Sequence, residues 1–260
     1  MVPLGLVCLL FFVPPLHASE PPSVFLEDLT WTELRDAIRS GKTTVIIPIG
    51  GTEQNGPGIT LGKHNGRARV LSGMIAQSLG NALVAPVIAY VPEGNLSSPT
   101  AHMRFPGTIT VPDAAFETIL EYAARSMKQA GFRNIVILGD HGGYQQDLKS
   151  VAGRLNREWT GTPERAIAVE EYYRASTDGF EAILKARGYT AAETGKHAGL
   201  MDTSLQLALA PETVRTTNVR SNADGVEGDP RRASAELGRL GVQEIVAATV
   251  AAIRKEAAPH

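Results

Sequence analysis

Short apolar runs rich in β-branched residues alternate with longer stretches of helical periodicity, and this alternation restricts the fold more than any other feature. The runs cover residues 43–49, 82–90, 107–111, 134–138 and 166–169. Runs without a polar face are typical of buried parallel strands. Parallel strands need a crossover between them, which is usually a helix. The alternation therefore predicts an α/β protein with three α/β/α layers and a mostly parallel central sheet.

Helical patterns occupy the segments between the runs. The clearest begins at Pro112-Asp113 and ends at Gly131, and its apolar residues keep a 3.6-residue period. We predict helices over residues 31–40, 67–79, 113–130, 145–159, 201–209 and 235–254. The segments at about 91–104, 171–196 and 216–232 are predicted to be loops.

The composition excludes several classes of protein. The chain is 43% apolar and 20% charged, which is typical of a globular protein rather than a disordered or fibrous one. Its 25 Lys and Arg residues nearly balance its 27 Asp and Glu residues, and no basic run occurs. Nucleic acid and anionic membranes are therefore not expected partners. The expected partner is a small-molecule substrate.

The N-terminus has the features of an export signal. An apolar run from Leu4 to Phe12 precedes Pro14-Pro15 and the small residue Ala18, although no Lys or Arg stands before it. The run is shorter than the roughly 20 residues that span a bilayer, and it suits a signal-peptide core. We predict a signal peptide over residues 1–18, one domain over residues 19–260, and a periplasmic or secreted protein whose mature form has no membrane span. A hydrophobic N-terminal strand is the alternative.

The single cysteine, Cys8, lies in the leader, so the mature chain has no thiol nucleophile.

Histidine and acidic residues follow two of the predicted strands at their carboxyl ends. His141 follows residues 134–138, and Glu53 and His64 lie in the Gly-rich loop after residues 43–49. Ligands bind at this edge of α/β sheets. One carboxylate and two imidazoles suit a zinc-like ion with a fourth position left for water, and such an ion lowers the pKa of that water to about 7. The residues predict a single divalent ion on Glu53, His64 and His141, with ordinary packing as the alternative for each histidine.

Five segments resemble, in order, motifs of the creatininase (creatinine amidohydrolase) family. The segment PIGGTEQNGPG from Pro48 resembles the opening signature of the family. HMRFPGTI from His102 resembles H-x-x-F-P-G-T-I, and GDHGG from Gly139 resembles N-G-H-G-G. HAGLMDTS from His197 matches H-A-G-x-x-E-T-S, and GVEGDP from Gly225 resembles a late G-D-P loop. The chain is therefore identified as a member of this family, over nearly all of its mature length.

The resemblance implies a homo-oligomeric, metal-dependent hydrolase that cleaves a C–N bond in a small cyclic amide or, in some relatives, a lactone. It implies that Glu53 and His141 bind the metal and that His197 and an acid at Asp202 flank the substrate. In the predicted reaction, water activated by the ion attacks the carbonyl, and His197, oriented by Asp202, protonates the leaving nitrogen. Zinc is the expected ion, and manganese and iron are alternatives. Capping of the helix at 201–209 is the alternative role of His197 and Asp202.

The sequence departs from the family pattern at three candidate ligands. A histidine expected two residues after Glu53 is Asn55, and an aspartate expected eleven residues after it is His64. The acidic position two residues after His141 is glycine. Neutral Asn55 is a poor ligand for borderline metals, so we predict at most one tightly held ion. The predicted substrate contacts are Asn55, His102, Gly142 and Gly143, with loop packing as the alternative role of His102.

Two other functions remain open from the sequence. A lyase or isomerase with one metal is the first, because an ion that holds an enolate suits proton abstraction beside a carbonyl of a small keto or sugar-like substrate. A non-catalytic periplasmic relative that binds a small polar ligand is the second. Asp140, which stands just before His141, is a candidate turn residue or hydrogen-bond partner of an imidazole.

Overall fold

Four parallel strands form the central sheet, in the order β2-β1-β3-β4. The computed structural model describes residues 21–257, so the predicted signal peptide lies outside the described residues. The strands are β1 (Thr44–Ile49), β2 (Ala82–Val84), β3 (Asn134–Gly139) and β4 (Arg165–Ala168). The central pair, β1 and β3, is in register from Thr44 opposite Asn134 to Ile49 opposite Gly139.

Helices cover both faces of this sheet. In chain order they are α1 (Trp31–Arg39), α2 (Lys63–Leu79), α3 (Asp113–Ala130), α4 (Gln145–Glu158), α5 (Glu170–Arg174), α6 (Phe180–Lys185), α7 (Ala191–Thr194), α8 (Leu200–Leu209) and α9 (Ala235–Glu256). A π-helical turn, Ala175–Gly179, joins α5 to α6. Short 3-10 turns lie at Leu26–Asp28, Ala101–Arg104, Pro211–Thr213, Thr216–Asn218 and Pro230–Arg232. Within residues 21–257, no helix has both the length and the apolar character that crossing a membrane requires.

The strands are buried on both faces, which explains their continuous apolar runs. Successive strand residues point to opposite sides of a sheet. Val45 and Ile47 pack with Phe116 of α3 in a core that also includes α1 and α4. Ile46 packs with Leu71 of α2 in a second core that includes α8 and α9. The prediction of three α/β/α layers around a parallel sheet is confirmed.

The loops that follow β1 and β3 leave the sheet in divergent directions. The chain passes from β1 to β2 on one side and from β3 to β4 on the other. A crevice therefore opens between the carboxyl ends of β1 and β3, which is where ligands bind in sheets of this kind. The predicted metal ligands follow these two strands.

The predicted strand at 107–111 is wrong, because this extended segment pairs with loops rather than with the sheet. The N–H of Ile109 donates to the carbonyl of Thr52 at 2.9 Å. The hydroxyl of Thr108 accepts from the N–H of Gln54, and that of Thr110 accepts from the N–H of Glu93. The segment thus holds the loop after β1 and the loop around Glu93 in place.

Larger differences from the prediction occur at three other segments. The strand predicted to reach residue 90 ends at Val84, since Pro86 has no N–H, although Ile88 still forms an isolated bridge to Ile49. The helix predicted to begin at Arg67 begins at Lys63. The segment predicted as a loop at 171–196 contains α5, α6 and α7.

Candidate metal centre

The carboxylate of Glu53 lies at the centre of four imidazoles. It stands in the loop after β1 and has no solvent exposure. Its Oε1 atom lies 2.8 Å from Nε2 of His64 and 3.7 Å from Nδ1 of His197. Its Oε2 atom lies 3.3 Å from Nε2 of His102 and 3.4 Å from Nε2 of His141. The structure therefore brings together the three predicted metal ligands, and it adds His102 and His197 to them.

A buried tyrosine ties the two central loops to each other. The hydroxyl of Tyr144 donates to the carbonyl of Gly50 at 2.6 Å. The same oxygen accepts from the N–H groups of Asp140 at 3.1 Å and His141 at 3.0 Å. One side chain thus fixes the backbone after β1 against the backbone after β3, which sets the distance between Glu53 and His141.

The sequence around the start of α2 supplies a lysine, a histidine and an arginine that face the centre. Lys63, His64 and Arg67 are all buried, although they stand within the first five residues of the helix. The positive end of a helix dipole disfavours cations at that position, so the carboxylates around these residues must offset the cost. None of the acidic partners lies in α2, and the three basic residues therefore connect distant parts of the chain.

These residues complete a closed ring of charge contacts. From Glu53 the ring continues through His64 to Asp140, whose Oδ2 lies 2.6 Å from Nδ1 of His64. Nε of Arg67 donates to the same Asp140 oxygen at 2.8 Å. From Arg67 the ring returns to Glu53 through the carboxylate of Asp202 and the ammonium of Lys63.

Asp202 and Lys63 close the ring. NH1 of Arg67 donates to Oδ1 of Asp202 at 2.7 Å, and Nζ of Lys63 donates to Oδ2 of Asp202 at 2.9 Å. The Lys63 ammonium also lies 3.4 Å from Oε1 of Glu53. Asp202 accepts a further hydrogen bond from the N–H of Ala198, just before α8.

The prediction that Asp202 orients His197 is corrected by these contacts. Nε2 of His197 lies 2.8 Å from the carbonyl of Gln54 and donates its proton there. Both oxygens of Asp202 are held by Lys63 and Arg67 instead. The bond from the N–H of Ala198 agrees in part with the alternative role of Asp202 at the start of α8.

The hydrogen-bond partners determine where each ring carries its proton. His64 lies between two carboxylates, since its Nδ1 is 2.6 Å from Oδ2 of Asp140 and its Nε2 is 2.8 Å from Oε1 of Glu53, and a carboxylate oxygen only accepts a hydrogen bond. His197 donates from Nε2, so its Nδ1 faces Glu53 as a lone pair. His102 differs, because its Nδ1 accepts from the side-chain amide of Gln54, whose own orientation is set by the N–H of Gly56. Its Nε2, which faces Glu53, therefore carries the proton.

Burial and neighbouring charges move the pKa values of the central groups apart. Burial alone would raise the pKa of Glu53, but Lys63 and then His64 hold it well below its ordinary value. Burial, together with the charge of Glu53, raises the pKa of Glu93 to about 9. Burial is also the main cause that lowers the pKa of His141 to about 3 and that of His197 to about 4. At neutral pH, Glu53 is ionised while Glu93 carries a proton and both imidazoles are neutral.

A polar cavity of about 240 Å³ opens onto the centre. Its lining includes His102 and Gly142, as predicted for substrate contacts, but neither Asn55 nor Gly143. The amide of Asn55 donates to the carbonyls of Glu53 and Thr60, so its role is to hold the loop. The N–H of Gly143 donates to Nδ1 of His141 at 3.2 Å, so this N–H is not directed into the cavity.

Sequence reasoning missed three buried groups of the centre: Lys63, Arg67 and Glu93. Charged residues are rarely buried unless they are paired, so a sequence reading places them on the surface by default. The burial of two of them, Lys63 and Arg67, is indicated by the local sequence. A helix that opens with Lys63, His64 and Arg67 and has no acid in its first turn contradicts the usual charge preference of helix starts.

Two overlapping sets of donors at the centre are candidates for binding a divalent ion. Within the described part of the chain, two groups bring their ligand atoms within 4.8 Å of one another: Glu53 with His64 and His141, and Glu53 with His102 and His197. Oε2 of Glu53 is buried and has no hydrogen-bond partner, and an oxygen in that state suits a cation. For Nε2 of His141 to bind an ion, the ring proton must lie on Nδ1. The 3.2 Å hydrogen bond from the N–H of Gly143 to Nδ1 is then lost, which costs about 1 kcal/mol. The first group, which is the predicted one, fits a zinc-like ion.

The fold and this centre define an α/β protein with a polar active-site-like cavity built on a buried carboxylate and several imidazoles. The sequence model of the creatininase family, described as creatinine amidohydrolase, matches residues 27–253. The chain therefore belongs to the creatininase family.

Curated relatives share this family and differ in their named activities. Creatinine amidohydrolase of Pseudomonas putida is 25% identical, over 91% of this chain and 98% of the relative. Mycofactocin precursor peptide peptidase of Mycolicibacterium smegmatis is 28% identical, over 76% of this chain and 73% of the relative. The 3-dehydro-scyllo-inosose hydrolase of Thermotoga maritima is 27% identical, over 75% of this chain and 58% of the relative.

Solved structures show the same fold. A creatinine amidohydrolase (creatininase) superposes with a TM-score of 0.75 at 23% identity, covering 92% of this chain and all of that chain. A creatininase described as the Zn-Zn type has a TM-score of 0.75 at 24% identity, covering 91% of this chain and 99% of that chain.

Proposed function

We propose that the protein is a metal-dependent hydrolase that cleaves a C–N bond in a small cyclic amide, or the related bond of a lactone. The observation that carries the proposal is the contact of the buried, ionised carboxylate of Glu53 with His64, His141 and His197, three imidazoles that line a polar cavity. Membership of a family whose named relatives are hydrolases supports the same reaction type. Glu53, His64 and His141 are the proposed ligands of one divalent ion, zinc first, with manganese or iron as alternatives.

A bound divalent ion would supply two things at this position, a water of lowered pKa and polarisation of a carbonyl oxygen. The protein's own residues prepare the site for it. Asp140 accepts from Nδ1 of His64, which fixes the tautomer that leaves Nε2 directed at Glu53. Lys63 and His64 keep Glu53 ionised, so a ligand charge is present at neutral pH.

His197 is the proposed group for proton transfer, and its chemistry differs from the sequence-based expectation. Because its pKa is lowered to about 4, the ring is neutral at pH 7 and has no proton to give at the outset from Nδ1. Its Nε2 proton is bonded to the carbonyl of Gln54. Nδ1 is therefore the atom that first accepts a proton within the site and then returns it to a leaving nitrogen. The backbone carbonyl of Gln54 steadies the ring in this role.

The size and lining of the cavity favour a small polar substrate over a peptide. Its volume of about 240 Å³ is below the roughly 300–1,000 Å³ typical of drug-sized ligand sites. Ser176, Thr177, Lys196 and Glu227 add polar and charged groups to its wall. These groups suit a compact molecule with several hydrogen-bonding atoms.

Turnover by chelator-treated protein reconstituted with zinc, manganese or iron tests the proposal. The substrates are a panel of cyclic amides, lactones and keto-sugars, and the products are identified by mass. We expect metal-dependent formation of a product heavier than its substrate by one water molecule, and loss of both metal and turnover in His141→Ala. A product of unchanged mass would favour an isomerase instead. Thermal stabilisation by a panel compound without turnover under any metal would favour a ligand-binding protein.

Location and assembly are proposed on the sequence and family alone. We propose an exported protein, because residues 1–18 have the pattern of a signal peptide. N-terminal sequencing of the protein recovered from the periplasm or medium tests this. We also propose a homo-oligomer, which light scattering coupled to gel filtration measures directly.

A further inference from the structure

We infer that the ammonium of Lys63 takes the place of a second metal ion at this centre, so that the protein holds one divalent ion beside one fixed organic cation. The inference rests on the proposed metal-dependent function and adds to it the reason for the metal count. In the proposed function, this buried lysine serves only to keep Glu53 ionised.

The contacts of Lys63 are those of a cation that bridges two carboxylates. Nζ lies 2.9 Å from Oδ2 of Asp202 and 3.4 Å from Oε1 of Glu53. Only 1% of the side chain is exposed, although a buried ammonium is costly to desolvate unless it is paired. The two carboxylates belong to segments 149 positions apart in the chain, so Lys63 joins the loop after β1 to the start of α8.

This ammonium stands beside the second potential metal group of the centre. That group consists of Glu53, His102 and His197. Oε1 of Glu53 lies 3.7 Å from Nδ1 of His197 but closer, 3.4 Å, to Nζ of Lys63. An ion shared by Glu53 and His197 would therefore lie next to a positive charge. Like charges a few ångströms apart in a poorly solvated site repel strongly.

The second group also has a weaker set of donors. The amide of Gln54 donates to Nδ1 of His102 at 2.9 Å. This leaves the proton of the neutral ring on Nε2, the nitrogen that faces Glu53. For this nitrogen to bind a metal, the ring would have to change tautomer and lose the 2.9 Å bond from Gln54, which is shorter than the 3.2 Å bond from Gly143 that His141 would lose. His102 is therefore a less favourable ligand than His141.

Charge balance leads to the same conclusion. The ring contains three carboxylates, Glu53, Asp140 and Asp202, and two basic side chains that pair with them, Lys63 and Arg67. These five side chains together carry one excess negative charge. A single divalent ion changes the sign of that total, and a second ion would leave a buried excess of positive charge that no described side chain of the ring offsets.

Metal counting on chelator-stripped protein tests the inference without any substrate. The probes are Zn²⁺, counted by elemental analysis after dialysis and by calorimetric titration, and Mn²⁺, followed by electron paramagnetic resonance. We expect one equivalent in the wild-type protein. We expect two equivalents and a spin-coupled manganese pair in Lys63→Met, which frees an oxygen of Asp202 and one of Glu53.

Two further variants separate charge from shape. Lys63→Arg keeps the charge and should retain one equivalent, whereas Lys63→Gln keeps polar contacts without charge and should accept two. Circular dichroism and a thermal melt verify that each counted variant is folded, and the pair of neutral variants provides a second chance if one fails. Two equivalents in the wild-type protein, or one equivalent in both folded neutral variants, would overturn the inference. Absence of any bound ion would instead count against the proposed metal-dependent function itself.

Discussion

Nδ1 of His64 lies 2.6 Å from Oδ2 of Asp140, and this contact joins the first turn of α2 to the residue that follows β3. A carboxylate behind an imidazole fixes the tautomer of the ring and raises its basicity as a ligand. Asp140 is fully buried, and Arg67 and then His64 hold the pKa of its carboxyl below the ordinary value despite burial. The charge behind the proposed ligand is therefore present over the working pH range.

Asp140→Asn should weaken metal binding by about 10- to 100-fold, as loss of such partners does elsewhere. Competition with a chromophoric chelator measures the change. Tyr172→Phe is the matched control, because the Tyr172 hydroxyl donates to the other oxygen of Asp140 at 2.7 Å and does not touch His64. The control should change the affinity by much less. Equal affinities for Asp140→Asn and wild type would refute the role given to this carboxylate.

Arg67→Met should cost about 3–5 kcal/mol of unfolding free energy, because it leaves buried carboxylates without their partner. Arg67 contacts both Asp140 and Asp202 and is almost fully buried. Arg231→Met removes an arginine that is 65% exposed and pairs with Asp229, and it should cost no more than about 1 kcal/mol. Urea denaturation of the metal-free proteins compares the two. Similar losses in both variants would contradict the buried ring as a source of stability.

Glu93→Gln should change how the stability of the metal-free protein depends on pH. The folded pKa of Glu93 is raised to about 9, first by burial and then by Glu53. The proton on Glu93 therefore contributes fully to the free energy of unfolding below pH 4.5, and this contribution is lost as the pH rises towards 9. Relative to the wild type, the variant should gain about 1 kcal/mol per pH unit between pH 5 and 8. Urea midpoints measured across that range decide the matter, and parallel curves for the two proteins would exclude a protonated Glu93.

Gly238→Ala should destabilise the protein by about 1–3 kcal/mol or more through overpacking. A Cβ at this position in α9 would lie 1.9 Å from the carbonyl oxygen of Ser204 in α8. Gly153→Ala in α4 is the matched change, because its nearest neighbour would be 3.6 Å away at Arg157. That variant should gain about 0.5–1 kcal/mol, the helix preference of alanine over glycine. Thermal melts that move in the same direction for both would contradict this packing of α8 on α9.

The sequence predicts most of the layer structure because the main determinants are local. The β-branched run of β1 and the periodic helix from Asp113 to Ala130 are visible in windows of a few residues. The segment at 107–111 shows the limit of this reasoning. Its alternating Thr and Ile residues suit a strand, but its partners are loop groups such as Thr52 and Glu93, whose proximity depends on the completed fold.

The site is predictable only in part, for a related reason. Glu53 and His141 were identifiable because the carboxyl ends of parallel strands meet at one edge. The ring also requires Arg67 to reach Asp202, 135 positions later in the chain. No local pattern encodes that contact, and charged residues are usually solvent-exposed. Only the position of the helix start, four residues before the predicted one, distinguishes Lys63 from a surface lysine.

Three basic members of the centre share the opening of one helix, and this has a consequence for how the chain tolerates insertions. Each residue added to a helix turns the following side chains by about 100°. One extra residue between Arg67 and Leu71, which packs in the second core, would turn Lys63, His64 and Arg67 away from their carboxylates together, even though no charged side chain had been deleted. The centre therefore depends on the number of residues that separate these three side chains from the packed face of α2, and a single-residue insertion there should abolish it.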